Sequence, residues 1–241
     1  MKKTALYPIL FRDFQGLQKR EETLAQEINL SLHIKGQGCS LIPCSPGHER
    51  HLVLGRLRTE KLISDTSQVQ DIIFRHTGED SLSAHVVLNE APVSEQEKKS
   101  QPIQLEGPVI FECMRQLETK QTLFPQTGCT HGAALFDQQG HLLAMAEDVN
   151  RRSALEKTIG LAQEEKTLSQ AALAAITSRL NTDLVACAAA AGLTFLCGIS
   201  VGTLAAVKTA KKYGMTLIGR VRGQNMNIYT GHERLIWTDE N

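Results

Sequence analysis

Ile28, Leu30, Leu32 and Ile34 alternate with polar residues, the clearest strand signal in the chain. It predicts a strand over 27–35, a turn at Gly36-Gln37-Gly38, and a returning strand over 39–43. Ser45-Pro46-Gly47 then opens a predicted helix running to about residue 57, with Pro46 suited to the first turn. Two more strands are predicted over 68–76 and 82–88, where Leu82, Ala84, Val86 and Leu88 alternate. Residues 1–24 show no clear period and are expected to be irregular or a short edge element. Pro92, Pro102 and Pro108 with the polar run 94–101 mark a linker. This divides the chain into an N-terminal region 1–95, a linker 96–108 and a domain 109–241.

In the second half, helical and strand periods mix. Val109 or Ile110, Cys113 and Leu117 share one face of a helix over 109–122. Residues 127–157 read as a small-residue loop, a hairpin turning at Asp137 to Gly140, the acidic pair Glu147 and Asp148, and a helix capped by Asn150. Ser169 is expected to cap a helix over 170–176, followed by a helix over 182–191 ended by Gly192. A buried strand over 193–199, a helix over 204–213, and strands over 215–222 and 226–230 complete the chain. Helix and strand alternating from 182 onward imply parallel pairing through crossover helices. The fold class expected is α/β, with a smaller strand-rich α+β N-terminal part.

Residues 184–207 form a run of 24 without a charge, long enough to span a membrane. Its Ala, Gly, Ser, Thr and Cys content and its internal turn signals point instead to elements buried between layers. The 241 residues include 26 basic and 26 acidic side chains, which argues against a broad nucleic-acid surface. Aromatics are only 5% of the chain, so stacking of bases on exposed rings is not expected. The six cysteines match no zinc spacing, and the N-terminus is too interrupted for a signal peptide. A cytoplasmic location with free thiols, no membrane and no nucleic-acid partner is expected.

Several residues could carry chemistry. His131, Glu147, Asp148, Arg151 and Arg152 flank the open ends of the predicted hairpin, either as a site or as solvated strand ends. Ser200-Val201-Gly202-Thr203 lies between a buried strand and a helix start, where it can hold an anion or simply cap the helix. Arg220 and Arg222, two apart on a strand, share a face beside Gly223 and suit a phosphate or pyrophosphate; the alternative is two solvated arginines. Ser178 and Arg179 at an interhelix junction offer another anion ligand. Cys129, near His131 and the arginines, is a candidate nucleophile or a small residue filling a small space. The His-x-Glu and Pro-Cys-x-x-Cys signature of zinc deaminases is absent, and no protein-ligated metal is expected.

The stretch Thr127-Gly128-Cys129-Thr130-His131-Gly132-Ala133-Ala134, followed by Glu147-Asp148-Val149-Asn150-Arg151-Arg152-Ser153-Ala154-Leu155-Glu156-Lys157, resembles the double signature of the formate dehydrogenase accessory sulfurtransferases, the FdhD family. That signature runs approximately TGG-x-HAA and EDVGRHNA-x-DK. Cys44-Ser45-Pro46-Gly47, the stretches 54–60 and 177–180, 217–222 and 227–230 agree in order, so the likeness covers about residues 24–235. It implies a C-terminal domain of cytidine-deaminase-like, three-layer form and a homodimer. It implies binding of the molybdenum bis(molybdopterin guanine dinucleotide) cofactor as substrate, receipt of persulfide sulfur from a cysteine desulfurase, and delivery to the formate dehydrogenase catalytic subunit. The cofactor surface it implies comprises Thr127, Gly128, His131, Glu147, Asp148 and Arg151, together with Val221, Arg222, Gly223, Gln224, Asn225 and Met226. To these the anion reading adds Ser178, Arg179, Ser200, Thr203 and Arg220. The chain departs from the family in having no cysteine in 94–108, where the family's CxxC-type loop carries the persulfide. Cys129, Asn150, Arg152 and Ser153 also replace the usual Gly, Gly, His and Asn. A divergent sulfurtransferase using Cys129, a non-catalytic cofactor chaperone of the same fold, and a binder of another nucleotide-like ligand are the readings left open.

Overall fold

Two ten-residue strands open the chain. In the computed structural model, which describes residues 1–36, 38–89 and 103–237, β1 (Thr4–Asp13) and β2 (Gly16–Ala25) pair antiparallel along their full length. The Asp13 carboxylate closes their turn by accepting the Gln15 and Gly16 N–H groups at 2.8 and 3.2 Å. This hairpin of two long strands takes the place of the irregular segment or short edge element expected for residues 1–24. Its strands hid from pattern reading because both faces mix apolar and charged residues; neither is packed on a core that would impose a two-residue period.

The N-terminal unit follows. β3 (Ile28–Ile34), β4 (Gly38–Cys44), β5 (Val69–Gly78) and β6 (Ser81–Leu88) form a sheet in the order β4-β3-β6-β5, with β3 and β6 parallel. Ile28, Leu30, Leu32, Ile42 and Val86 bury one face under Leu52, Leu54 and Leu57 of α1 (Glu49–Thr59). α1 begins at Glu49, later than the Ser45 start expected from sequence. Residues 45–48 are held out of the helix because Gly47 and His48 have φ of 94° and 61° and Ser45 is bonded to a distant part of the chain.

Residues 90–102, including Pro92, Pro102 and the polar run of the expected linker, lie outside the described residues. The chain re-enters as β7 (Leu105–Glu106) and α2 (Gly107–Lys120), so the helix expected from residue 109 begins two residues earlier. Then come α3 (Phe124–Thr127), β8 (His131–Phe136), β9 (Leu142–Asp148), α4 (Arg151–Glu164) and β10 (Leu173–Ile176). The remaining elements are α5 (Thr182–Ala190), β11 (Phe195–Gly198), α6 (Leu204–Tyr213), β12 (Thr216–Arg222), β13 (Asn225–Thr230) and β14 (Leu235–Ile236), the last paired parallel with β7. The six-stranded sheet has the order β13-β12-β11-β10-β8-β9. β11 and β12 are parallel, as the alternation from residue 182 predicted, and β10 adds to them in parallel, while β8 and β13 run against their neighbours.

The helix expected over 170–176 is instead β10, preceded by a single 3-10 turn. Its Ala-rich sequence has high helix propensity, but Leu173 to Ile176 are fully enclosed between β8 and β11, which supply every backbone partner. One face of the sheet is covered by α4, α5 and α6 through Leu155, Ile159, Leu184, Ala188, Ala206 and Ala210. The other is covered by α2 through Ile110, Cys113, Met114 and Leu117. The result is a mixed α/β fold with a helix–sheet–helix C-terminal unit. Among the described residues no helix is long and apolar enough to cross a membrane.

The two units meet at α1 and α4, which touch backbone to backbone. A Cβ on Gly55 would lie 1.8 Å from the Glu156 carbonyl oxygen. Beside this contact the fully buried Glu156 carboxylate receives Arg56 Nε at 2.9 Å, Arg152 Nε at 2.8 Å and the Thr59 hydroxyl at 2.9 Å. Burial raises the Glu156 pKa, and the two guanidiniums oppose that rise.

Candidate functional site

Because β8 runs antiparallel to β10 while β10, β11 and β12 are parallel, five chain segments reach the same end of the sheet. They are the start of β8 at His131, the end of β9 at Glu147 and Asp148, and the segments following β10, β11 and β12. Backbone bonds stitch these segments together. Thr177 N–H donates to Gly132 O at 3.0 Å, Leu180 N–H to Val201 O at 3.1 Å, and Arg220 N–H to Ser200 O at 3.0 Å. Gly219 permits the last contact, since a Cβ there would meet Ser200 O at 2.7 Å and the Tyr229 ring at 2.8 Å. The carboxyl ends of parallel strands are where open α/β sheets bind ligands.

The electrostatics at this end are lopsided. Arg151, Arg179, Arg220 and Arg222 have no carboxylate partner among the described residues. The half-buried His131 has its pKa lowered by desolvation and then by the nearby Arg151 and Arg179. Its imidazole is therefore neutral at pH 7, in a place that favours an anion. Beside it a cavity of about 380 Å³ is lined by His131, Arg56, the α4 start from Asn150 to Ser153, Asp183, and Leu41, Ile42 and Pro43 of β4. Both units thus contribute walls. Sequence patterning did not single out Arg56 or 41–43 as site residues; Arg56 lies in a motif-bearing stretch, but only the α1–α4 contact brings it to the cavity.

The other predicted residues divide by role. Glu147 holds the loop that carries Thr127, Gly128 and Cys129. Its carboxylate accepts the N–H groups of Thr122, Leu123 and Phe124 at 2.6, 2.9 and 2.8 Å and the Thr130 hydroxyl at 3.0 Å. Burial alone would raise its pKa, but these donors lower it. Asp148 is fully buried and bonded to Lys157 Nζ at 2.7 Å, Ser45 N–H at 3.0 Å and Asn150 N–H at 2.8 Å. Its burial raises its pKa against the pull of Lys157. Both carboxylates are bonded within the protein, which gives each a scaffolding role at this end of the sheet. Thr203 caps α6, its hydroxyl accepting Ala206 N–H at 3.1 Å, which is the capping alternative at that position. Ser178 is buried, with its hydroxyl donating to Arg179 O at 3.3 Å, while Ser200 is half-buried beside the Arg220 amide. Arg220 has φ of 52° and a bulge interrupts the β12–β13 ladder between Gly219 and Arg222. This breaks the strict alternation that placed Arg220 and Arg222 on one face. Val221 is buried, Arg222 to Asn225 are exposed around the tight turn, and Met226 is half-buried.

Cys129 and Cys39 are exposed and the other four cysteines are buried. Burial pushes the Cys44 and Cys113 thiols up to about 12 and also raises those of Cys187 and Cys197. Cys39 Sγ lies 3.7 Å from His33 Nε2, and the His33 ring stacks on His85 at 4.6 Å between centroids. Among the described residues no group of three or more His, Cys, Asp or Glu could hold a metal ion.

The sequence profile of the FdhD/NarQ family matches residues 82–236, a span that takes in the whole sheet end. The chain belongs to the FdhD/NarQ family. It is 30% identical over 237 residues to the sulfur carrier protein FdhD of Saccharolobus solfataricus, covering 90% of this chain and 92% of that one. It is 31% identical over 252 residues to the protein of the same name in Nocardia farcinica, covering 91% and 90%. A crystal structure described as a formate dehydrogenase accessory protein, from Desulfotalea psychrophila, superposes with a TM-score of 0.80 at 21% identity, covering 98% of this chain and all of that one. The FdhD-like fold thus extends over both units, including the N-terminal sheet that the family profile covers only in part.

Proposed function

We propose that this chain is a sulfur carrier that serves formate dehydrogenase maturation, binding the molybdenum bis(molybdopterin guanine dinucleotide) cofactor as substrate at the carboxyl end of its six-stranded sheet. The observation that carries this reading is a pair of arginines, Arg151 and Arg179, beside a neutral His131, with Arg220 and Arg222 at the same end of the sheet and none of the four ion-paired among the described residues. The cofactor's pyrophosphates supply the negative charge this end lacks, and guanidiniums hold phosphate oxygens in bidentate geometry. A cavity of about 380 Å³ is at the small end of ligand pockets and takes a nucleotide-sized part of the cofactor, leaving the rest over the open sheet end. The names of the FdhD relatives support sulfur carriage. A cysteine desulfurase as donor, the dehydrogenase catalytic subunit as acceptor, a homodimer, a cytoplasmic setting and kinship of the C-terminal unit to cytidine deaminases belong to the same proposal.

Titration with GDP tests the site. Arg222→Ala and Arg179→Ala each remove one charge-assisted contact and are expected to weaken binding about tenfold to a hundredfold. Affinities equal to wild type would remove the phosphate contacts from this end of the sheet.

The non-catalytic chaperone is the second reading, favoured by the absence of any cysteine from residues 94–108. Mass spectrometry after incubation with a cysteine desulfurase and cysteine separates the two. A persulfide on Cys129 or Cys39 supports the carrier; no adduct on any cysteine leaves the chaperone.

A further inference from the structure

Among the described residues β1 and β2 form a ribbon that pairs with no other strand, and β2 runs close to α3. Its register places Leu6, Pro8, Leu10 and Leu17 on one face and Tyr7, Ile9, Phe11 and Leu24 on the other. Leu6, Tyr7, Leu10 and Leu17 are 60 to 66% exposed, and Phe14 at the tip is 96% exposed. A lone two-stranded ribbon is marginal in water, and an unpaired edge of this length recruits another strand. The order of charges on β2 indicates which one. Lys19 and Arg20 precede Glu21 and Glu22, so the charge changes sign at the midpoint of Gly16–Ala25. When two such strands run antiparallel about a two-fold axis with full overlap, the axis falls at that midpoint, through Arg20 or Glu21. Through Glu21, each Arg20 stands opposite a Glu22 of the other copy; through Arg20, each Lys19 stands opposite a Glu21. Either register pairs opposite charges twice and sets one like-charge pair on the axis, Glu21 against Glu21 or Arg20 against Arg20.

We propose that the β1–β2 arm is a self-association surface, on which two copies of this chain join β2 to β2 antiparallel about a two-fold axis at Arg20 or Glu21 to form one four-stranded sheet. The arrangement carries the tip of each arm to the base of the other, which gives Phe14 and Leu17 a surface to pack on. The proposal builds on the homodimer of the preceding section and assigns its location.

Light scattering on the eluting full-length chain gives the test. Lys19→Glu/Arg20→Glu makes the β2 edge uniformly acidic, and Glu21→Lys/Glu22→Lys makes it uniformly basic. Each variant alone is expected to associate at least tenfold more weakly than wild type, and an equimolar mixture to recover the dimer, with circular dichroism checking that both fold. Variants that dimerise as wild type does, or a mixture that stays monomeric, would overturn the arm interface while leaving the homodimer standing. A wild type monomeric at about 100 µM would overturn both. In a Cys39→Ser/Cys129→Ser background, Glu21→Cys or Arg20→Cys is expected to cross-link across the axis under oxidising conditions. Failure of both cross-links would also overturn the interface.

Discussion

Gly160 of α4 lies so close to His51 of α1 that a Cβ on it would sit 1.9 Å from the His51 carbonyl oxygen. The opposing atom is backbone, so only a shift of a whole helix can relieve the clash. Gly160→Ala is therefore expected to cost about 3 kcal/mol, the upper range for overpacking. At roughly 2–4 °C per kcal/mol for a chain of this size, the melting midpoint falls by about 6–12 °C. Calorimetry on the two proteins checks this, and an unchanged midpoint would contradict the close approach.

Glu147→Ala leaves three backbone N–H groups of the 122–124 turn without their acceptor. Faster hydrogen exchange at these amides is expected, with weaker GDP binding as the neighbouring loop loosens. The same carboxylate makes the loop sensitive to acid. Its folded pKa lies below the ordinary 4.5, because the amide donors outweigh burial. Its contribution is present above about pH 4.5 and is lost as the pH falls through the lower folded value. Exchange at 122–124 should rise over that acid window in wild type and stay flat in Glu147→Gln.

An anion placed beside His131 favours the imidazolium that Arg151 and Arg179 disfavour in the free protein. Binding therefore takes up a proton, and affinity for GDP increases as the pH falls towards the lowered imidazole value of the free protein. The nucleotide's own titration is common to wild type and His131→Gln, so the difference between their pH profiles isolates the imidazole. Parallel profiles would place the phosphates away from His131.

Thiol chemistry should split two to four. Cys39 and Cys129 are exposed, whereas Cys44, Cys113, Cys187 and Cys197 are buried with thiols held protonated. An aromatic disulfide reagent is expected to find two fast-reacting thiols in the folded chain and six after denaturation. Loss of one fast equivalent in Cys39→Ser and another in Cys129→Ser would assign them.

Elements facing a core on one side declared themselves in sequence, as in β3 and β6, where Leu30 and Val86 alternate with polar neighbours. The Ala-rich β10 did not, because its strand form comes from β8 and β11 on either side, which a local window does not contain. The β1–β2 hairpin did not, because among the described residues neither of its faces is fully buried on a core. At the site, residue types singled out Arg179, Arg220 and Arg222, which are exposed in the structure, although Arg179 follows a strand rather than a helix and Arg220 and Arg222 do not share a face. The same reading failed to separate Glu147 and Asp148, which are spent on amides and on Lys157, from groups free to meet a ligand. The deciding information is where the partners come from. Asp148 is filled by Ser45, 103 residues away, a relation without a signature in the spacing of either residue.

The Lys157 ammonium that donates to the Ser45 carbonyl is separated from it by 112 residues. On the ribosome, at roughly 5–20 residues per second, this separation is a delay of about 6–22 s between synthesis of Ser45 and synthesis of Lys157 in the helix that covers α1. Throughout that interval the nascent chain carries an uncovered α1 surface and an open hairpin, so its hazard during synthesis is premature association. A holdase that engages the first hundred or so residues protects the step that no codon downstream has yet supplied.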